Sequence, residues 1–92
     1  MTERIMELGE RRRITLTIWL EDERVFEPTT PTYELTRSRE MIKTGTCEAA
    51  ADGAKWQLTE EIQPDARGDY LLSYQFGLGT EIIRRSVPIK VI

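Results

Sequence analysis

From Tyr70 to Val91 the chain alternates with a period of two. Tyr70, Leu72, Tyr74 and Phe76 are set against Leu71, Ser73 and Gln75. After Gly77-Leu78-Gly79-Thr80, the residues Ile83, Val87, Ile89 and Val91 are set against Arg84, Ser86, Pro88 and Lys90. Successive side chains of a strand point to opposite faces, so this pattern predicts a β-hairpin of strands 69–76 and 81–91 with one apolar face. Taking Leu78-Gly79 as the central turn residues puts Tyr74 across from Ile83 and Tyr70 across from Val87. Arg85 then falls opposite Leu72, at a rim or a bulge with its stem packed and its head in water. A slip of one residue would exchange the faces.

The same period predicts further strands upstream. Ile14, Leu16, Ile18 and Leu20 point one way, and Arg13, Thr15, Thr17 and Trp19 the other. Glu21-Asp22-Glu23-Arg24 ends that strand, and Pro28-Thr29-Thr30-Pro31 makes a rigid loop. Thr32 to Arg37 places Tyr33 and Leu35 inward. Met41 to Glu48 is either one strand interrupted at Gly45 or two short ones. Ala49-Ala50-Ala51 favours helix by propensity, but Asp52-Gly53 signals a turn. Lys55 to Ile62 carries Trp56, Leu58 and Ile62 on one face. Residues 1–10 stand apart. Thr2 is a candidate cap for a short helix through Ile5, Met6 and Leu8, stopped at Gly9. Two turns are marginal in water, so the segment reads as an arm, frayed or ordered against a neighbour. Residues 11–92 then form one all-β domain, an antiparallel sandwich of about seven strands.

Length and composition narrow the functions open to such a domain. At 92 residues it buries only ~60–65% of its unfolded surface, which leaves little room for a deep cleft. Thirteen basic and sixteen acidic residues give a net charge of −3, against general nucleic-acid binding. There is no histidine and one cysteine, Cys47, so the usual general base, the commonest zinc ligand and any intrachain disulfide are excluded. Cys47 is expected in or near the core. No apolar run approaches the ~20 residues of a membrane helix. The first residues lack a signal-peptide core, so the expected location is the cytoplasm or a particle assembled there.

The segment Ile62-Gln63-Pro64-Asp65-Ala66-Arg67-Gly68-Asp69-Tyr70-Leu71-Leu72 resembles the corner before the penultimate strand of immunoglobulin-like and fibronectin-type sandwiches. There an Asp-x-Gly-x-Tyr pattern carries a tyrosine whose hydroxyl anchors the corner. The resemblance implies that role for Tyr70. Asp65 stands one residue further upstream than the pattern has it, and Leu72 replaces the immunoglobulin cysteine. In layout the chain is also similar to small bacterial and phage-associated Ig-like proteins.

Few residues carry candidate chemistry. Arg67-Gly68-Asp69 matches the integrin-binding tripeptide, although Gly68 also suits a turn and Asp69 a strand start. Gly77-Leu78-Gly79 lacks the following helix that a phosphate loop needs. Arg11-Arg12-Arg13 and Arg84-Arg85 would make a basic patch if the first and last strands are neighbours. Otherwise they are charged edges that discourage aggregation. Glu21-Asp22-Glu23 has no EF-hand pattern around it. Trp19 is the least ordinary residue. Outward beside Arg13, Thr15 and Thr17, it is either an interface anchor or covered by the arm or the 25–31 loop. The expectation is a non-enzymatic structural or protein-interaction module of the kind used in bacterial or phage assemblies. It has no cofactor or metal, and it meets a protein partner or a second copy through Arg13, Thr15, Thr17 and Trp19. The alternative is a carbohydrate- or cell-surface-binding module, whose signature would be Trp19 with a neighbouring tyrosine.

Overall fold

The computed structural model describes residues 4–19, 28–52 and 55–92, with backbone alone at Asp52. These residues form eight strands and no helix: β1 (Arg4–Met6), β2 (Arg12–Trp19), β3 (Thr29–Arg37), β4 (Glu40–Thr46), β5 (Glu48–Asp52), β6 (Lys55–Ile62), β7 (Gly68–Leu78) and β8 (Glu81–Val91). They build two sheets, one ordered β1-β8-β7-β3-β4 and one ordered β2-β6-β5. All pairs are antiparallel except β1 with β8.

The alternating residues close the core between the sheets. Tyr70, Leu72, Tyr74 and Phe76 from β7 are buried, as are Val87, Ile89 and Val91 from β8 and Tyr33 and Leu35 from β3. The smaller sheet answers with Ile14, Leu58 and Ile62, while Leu16 and Ile18 are only half-buried because β2 lies at an edge. Two tyrosine hydroxyls tie this core to backbone. Tyr70 Oη donates to the Ala66 carbonyl at 2.8 Å, which makes the expected corner at the entry to β7. Tyr74 Oη crosses the sandwich and donates to the Ile14 carbonyl of the other sheet.

Three expectations are corrected. Residues 4–6 are not helical; they are a strand running parallel to β8, with Arg4 beside Ile89 and Met6 beside Val91. Met6 is fully buried, and Ile92 N–H donates to the Met6 carbonyl at 2.9 Å. Sheet pairing with a buried side chain outweighs a two-turn helix that water would melt. Thr2 lies outside the described residues. Second, of the two alternatives for Met41 to Glu48 the structure has two strands, and the break falls at Cys47 instead of Gly45: β4 pairs with β3, β5 pairs with β6, and Cys47 is the single residue between them. The Cys47 N–H donates to the Pro31 carbonyl at 3.1 Å there. The helix-friendly alanines lie in β5, where ladder pairing overrides propensity. Third, the β7–β8 turn is Gly79-Thr80. Leu78 pairs with Glu81, Phe76 with Ile83, Tyr74 with Arg85, Leu72 with Val87 and Tyr70 with Ile89. Only Gly79 of the two turn residues has positive φ, at 62°, as the first position of a type II′ turn requires. The shift from the predicted register is two residues, which preserves the faces.

The β3–β4 hairpin turns through Ser38 and Arg39, with φ of 49° and 68°. Positive φ at both central positions is the type I′ signature, achieved here without the usual asparagine or glycine.

Candidate interaction surface

The outer face of the smaller sheet is set by β2 and its register on β6. Arg13 pairs with Glu61, Thr15 with Thr59, Thr17 with Gln57 and Trp19 with Lys55. Residues paired across an antiparallel ladder share a face. The four residues singled out from the sequence therefore stand in one line, next to a polar row from β6. Thr15 and Thr59 hydroxyls are 3.0 Å apart, and Arg13 Nη2 reaches across β6 to Glu48 Oε2 at 2.8 Å.

Trp19 ends that line, and it is 70% exposed. The Lys55 ammonium lies 4.8 Å from its ring centroid, a contact worth ~0.5–1 kcal/mol at an exposed site. The described strand of the arm, β1, belongs to the other sheet; residues 1–3 of the arm and 25–27 of the proposed covering loop lie outside the described residues. On the inner side of the same end, Trp56 sits opposite Ile18, half-buried, and its Nε1 is shut from solvent with no acceptor. This end of the smaller sheet is the least well-satisfied part of the described structure.

The other candidates resolve into structure. Four of the five arginines of the supposed basic patch have carboxylate partners: Arg13 with Glu48 as above, Arg11 Nε with Glu61 at 2.9 Å, Arg12 Nε with Glu10 at 3.0 Å and Arg84 Nη2 with Glu34 at 3.0 Å, while Arg85 Nη1 donates to the Arg84 carbonyl at 3.0 Å. β2 and β8 lie in different sheets, so the two arginine runs are not on neighbouring strands. Arg85 is exposed, and it faces Tyr74 in register rather than Leu72. In Arg67-Gly68-Asp69, Gly68 opens β7 with φ of 137° and Asp69 is laddered to Lys90, so the tripeptide is a strand start and not a loop tip. Gly77 is needed for close approach, since a Cβ there would overlap Thr29 Oγ1. Glu21-Asp22-Glu23 lies outside the described residues.

Cys47 is half-buried against the core. Burial pushes its thiol pKa up, and the Glu60 carboxylate adds to this. A thiol held protonated is a poor nucleophile at neutral pH. Tyr74 is likewise raised above the ordinary tyrosine value, chiefly by burial, with Cys47 and Glu60 contributing. An open cleft of about 300 Å³ is lined by Leu35, Ile42, Ile62 and Pro64 together with Arg11, Lys43, Glu61 and Asp65. Among the described residues no three His, Cys, Asp or Glu side chains group as metal ligands would, and no helix is long and apolar enough to cross a membrane.

Sequence reasoning missed a second apolar strip. Across the outer face of the larger sheet the register aligns Met41, Thr36, Leu71 and Pro88. Met41 is 48% and Leu71 41% exposed. The signal was available in part, because Leu71 is the one apolar residue in the outward phase of β7. Met41 was not placeable without the β3–β4 register. No protein-family model, no curated protein and no solved structure matches this chain.

Proposed function

We propose that the chain is an Ig-like sandwich that works as a non-enzymatic protein-interaction module, and that its contact surface is the β2 face carrying Arg13, Thr15, Thr17 and Trp19. One observation carries the surface: a tryptophan 70% exposed at the end of a face otherwise made of threonines and ion pairs. A large apolar ring in water is the kind of anchor that a partner desolvates. Two observations support the Ig-like architecture. The sheet order places β2, β6 and β5 together opposite β8, β7 and β3, as strands B, E, D and G, F, C are grouped in immunoglobulin domains. The Tyr70–Ala66 bond stands at the corresponding corner. A sugar platform is the weaker alternative, because Tyr33, Tyr70 and Tyr74 are all buried and none stands beside Trp19.

The test is site-specific photo-crosslinking in the source cells. A benzophenone side chain at Thr17 is expected to give a discrete protein adduct that is lost with Trp19→Ala, while the same probe at Ser86, on the opposite outer face, gives none. No adduct from Thr17, or equal adducts from both positions, would refute the surface. Retention on immobilised glycans that depends on Trp19 would favour the alternative.

A further inference from the structure

Two sheets present four edges, and three of them are blunted. β1 is three residues long. β4 carries Glu40, Lys43 and Gly45, and its pairing is broken by a register shift at Leu35/Thr36. β5 is five residues with an acidic residue at each end. β2 differs. Its register on β6 runs unbroken from Arg12–Ile62 to Trp19–Lys55, and Ile14-Thr15-Leu16-Thr17-Ile18-Trp19 contains no charge, proline or glycine. No described strand lies along its outer side, and Leu16 and Ile18 are only half-buried there. A long, regular, uncharged edge is the kind that another strand extends.

We infer that β2 pairs antiparallel with β2 of a second copy, giving a continuous six-stranded sheet across the dimer. The proposal rests on the interaction surface assigned to β2 and names its partner. The charge pattern selects this occupant and this direction. β2 itself opens with Arg12-Arg13 and closes with Trp19. Antiparallel copies set the arginines of each at the far end of the other, beside its Trp19, whereas parallel copies set arginine against arginine. The arginines' own partners are the exposed Glu61 and Glu48 and the half-exposed Glu10, surface pairs that hold them weakly. Facing narrows the register. Paired residues share a face, so the two-fold axis must pass through a residue and not between two. Centred on Leu16, it pairs Leu16 with itself, Ile14 with Ile18, Thr15 with Thr17 and Arg13 with Trp19, all within β2. The apolar residues then meet on the core side, and each Arg13 meets the partner's ring, a cation on an aromatic face.

Sedimentation velocity of the full chain over a wide dilution series is expected to show a reversible monomer–dimer equilibrium. Thr15→Lys with Thr17→Lys puts lysines directly opposite one another and is expected to leave a monomer with an unchanged circular dichroism spectrum. In a Cys47→Ala background, Leu16→Cys is expected to form a disulfide-linked dimer on mild oxidation. Thr17→Cys, two residues out of register with its own copy, is expected to remain largely uncross-linked. A wild-type chain that is monomeric at every concentration, or equal cross-linking at 16 and 17, overturns the proposal. If the Thr17 probe at the same time captures a different protein, the wider interaction reading survives and only the second copy is lost.

Discussion

The Tyr74 hydroxyl offers the sharpest test of how the two sheets are joined. Tyr74 is fully buried in β7, and its hydroxyl donates to the Ile14 carbonyl across the core. Tyr74→Phe keeps the ring and removes the bond, which at neutral pH is expected to cost ~1 kcal/mol, the net worth of a buried neutral hydrogen bond. With a urea dependence of ~1 kcal/mol/M for a domain of this size, the unfolding midpoint moves down by about 1 M. The pH dependence makes the prediction specific. Burial holds the phenol protonated in the folded chain, so its pKa is raised. In the unfolded chain it ionises near the ordinary value of about 10. Stability from this group is therefore fully present below about pH 10 and is lost as pH rises towards the folded value. At pH 11 the unfolded phenol is ionised by roughly one pH unit of driving force, about 1.4 kcal/mol, which the phenylalanine variant does not experience. The midpoints of the two proteins are thus expected to converge, or to cross, between pH 10 and 11. Tyr33, Tyr70 and Cys47 are common to both and cancel to first order. A difference that stays constant from pH 7 to pH 11, or no difference at neutral pH, would refute the bond as the cross-sheet tie.

Tyr70→Phe removes the 2.8 Å bond to the Ala66 carbonyl and is expected to lower stability by ~1 kcal/mol, read as a shift in urea midpoint at constant slope. Replacing the positive-φ pair by Ser38→Asn with Arg39→Gly supplies the residues a type I′ turn favours and is expected to raise stability by about 1 kcal/mol, seen as a higher thermal midpoint; an unchanged or lower midpoint would argue against that turn.

The sequence by itself determined which residues face inward. Alternation placed Ile14, Tyr33, Leu35, Leu58, Tyr70, Leu72 and Tyr74 in the core and Trp19 outside it, because side-chain facing is a local property with period two. The Asp65-to-Tyr70 corner was legible for the same reason: its bond spans four residues. What alternation does not encode is the neighbour. A shift of two residues leaves every face unchanged, so the Gly79-Thr80 turn and the pairing of Tyr74 with Arg85 had to come from the assembled hairpin. Three residues at 4–6 have no pattern of their own. They became a strand because β8 offered a free edge and the core a place for Met6. Ser38 and Arg39 carry no turn signature, since the sheet imposes a backbone that these residues do not choose alone. The four-residue line on β2 was visible in the sequence. Its open edge was not, because an edge exists only once β1 has gone to the other sheet and left β2 with β6 as its one neighbour among the described strands.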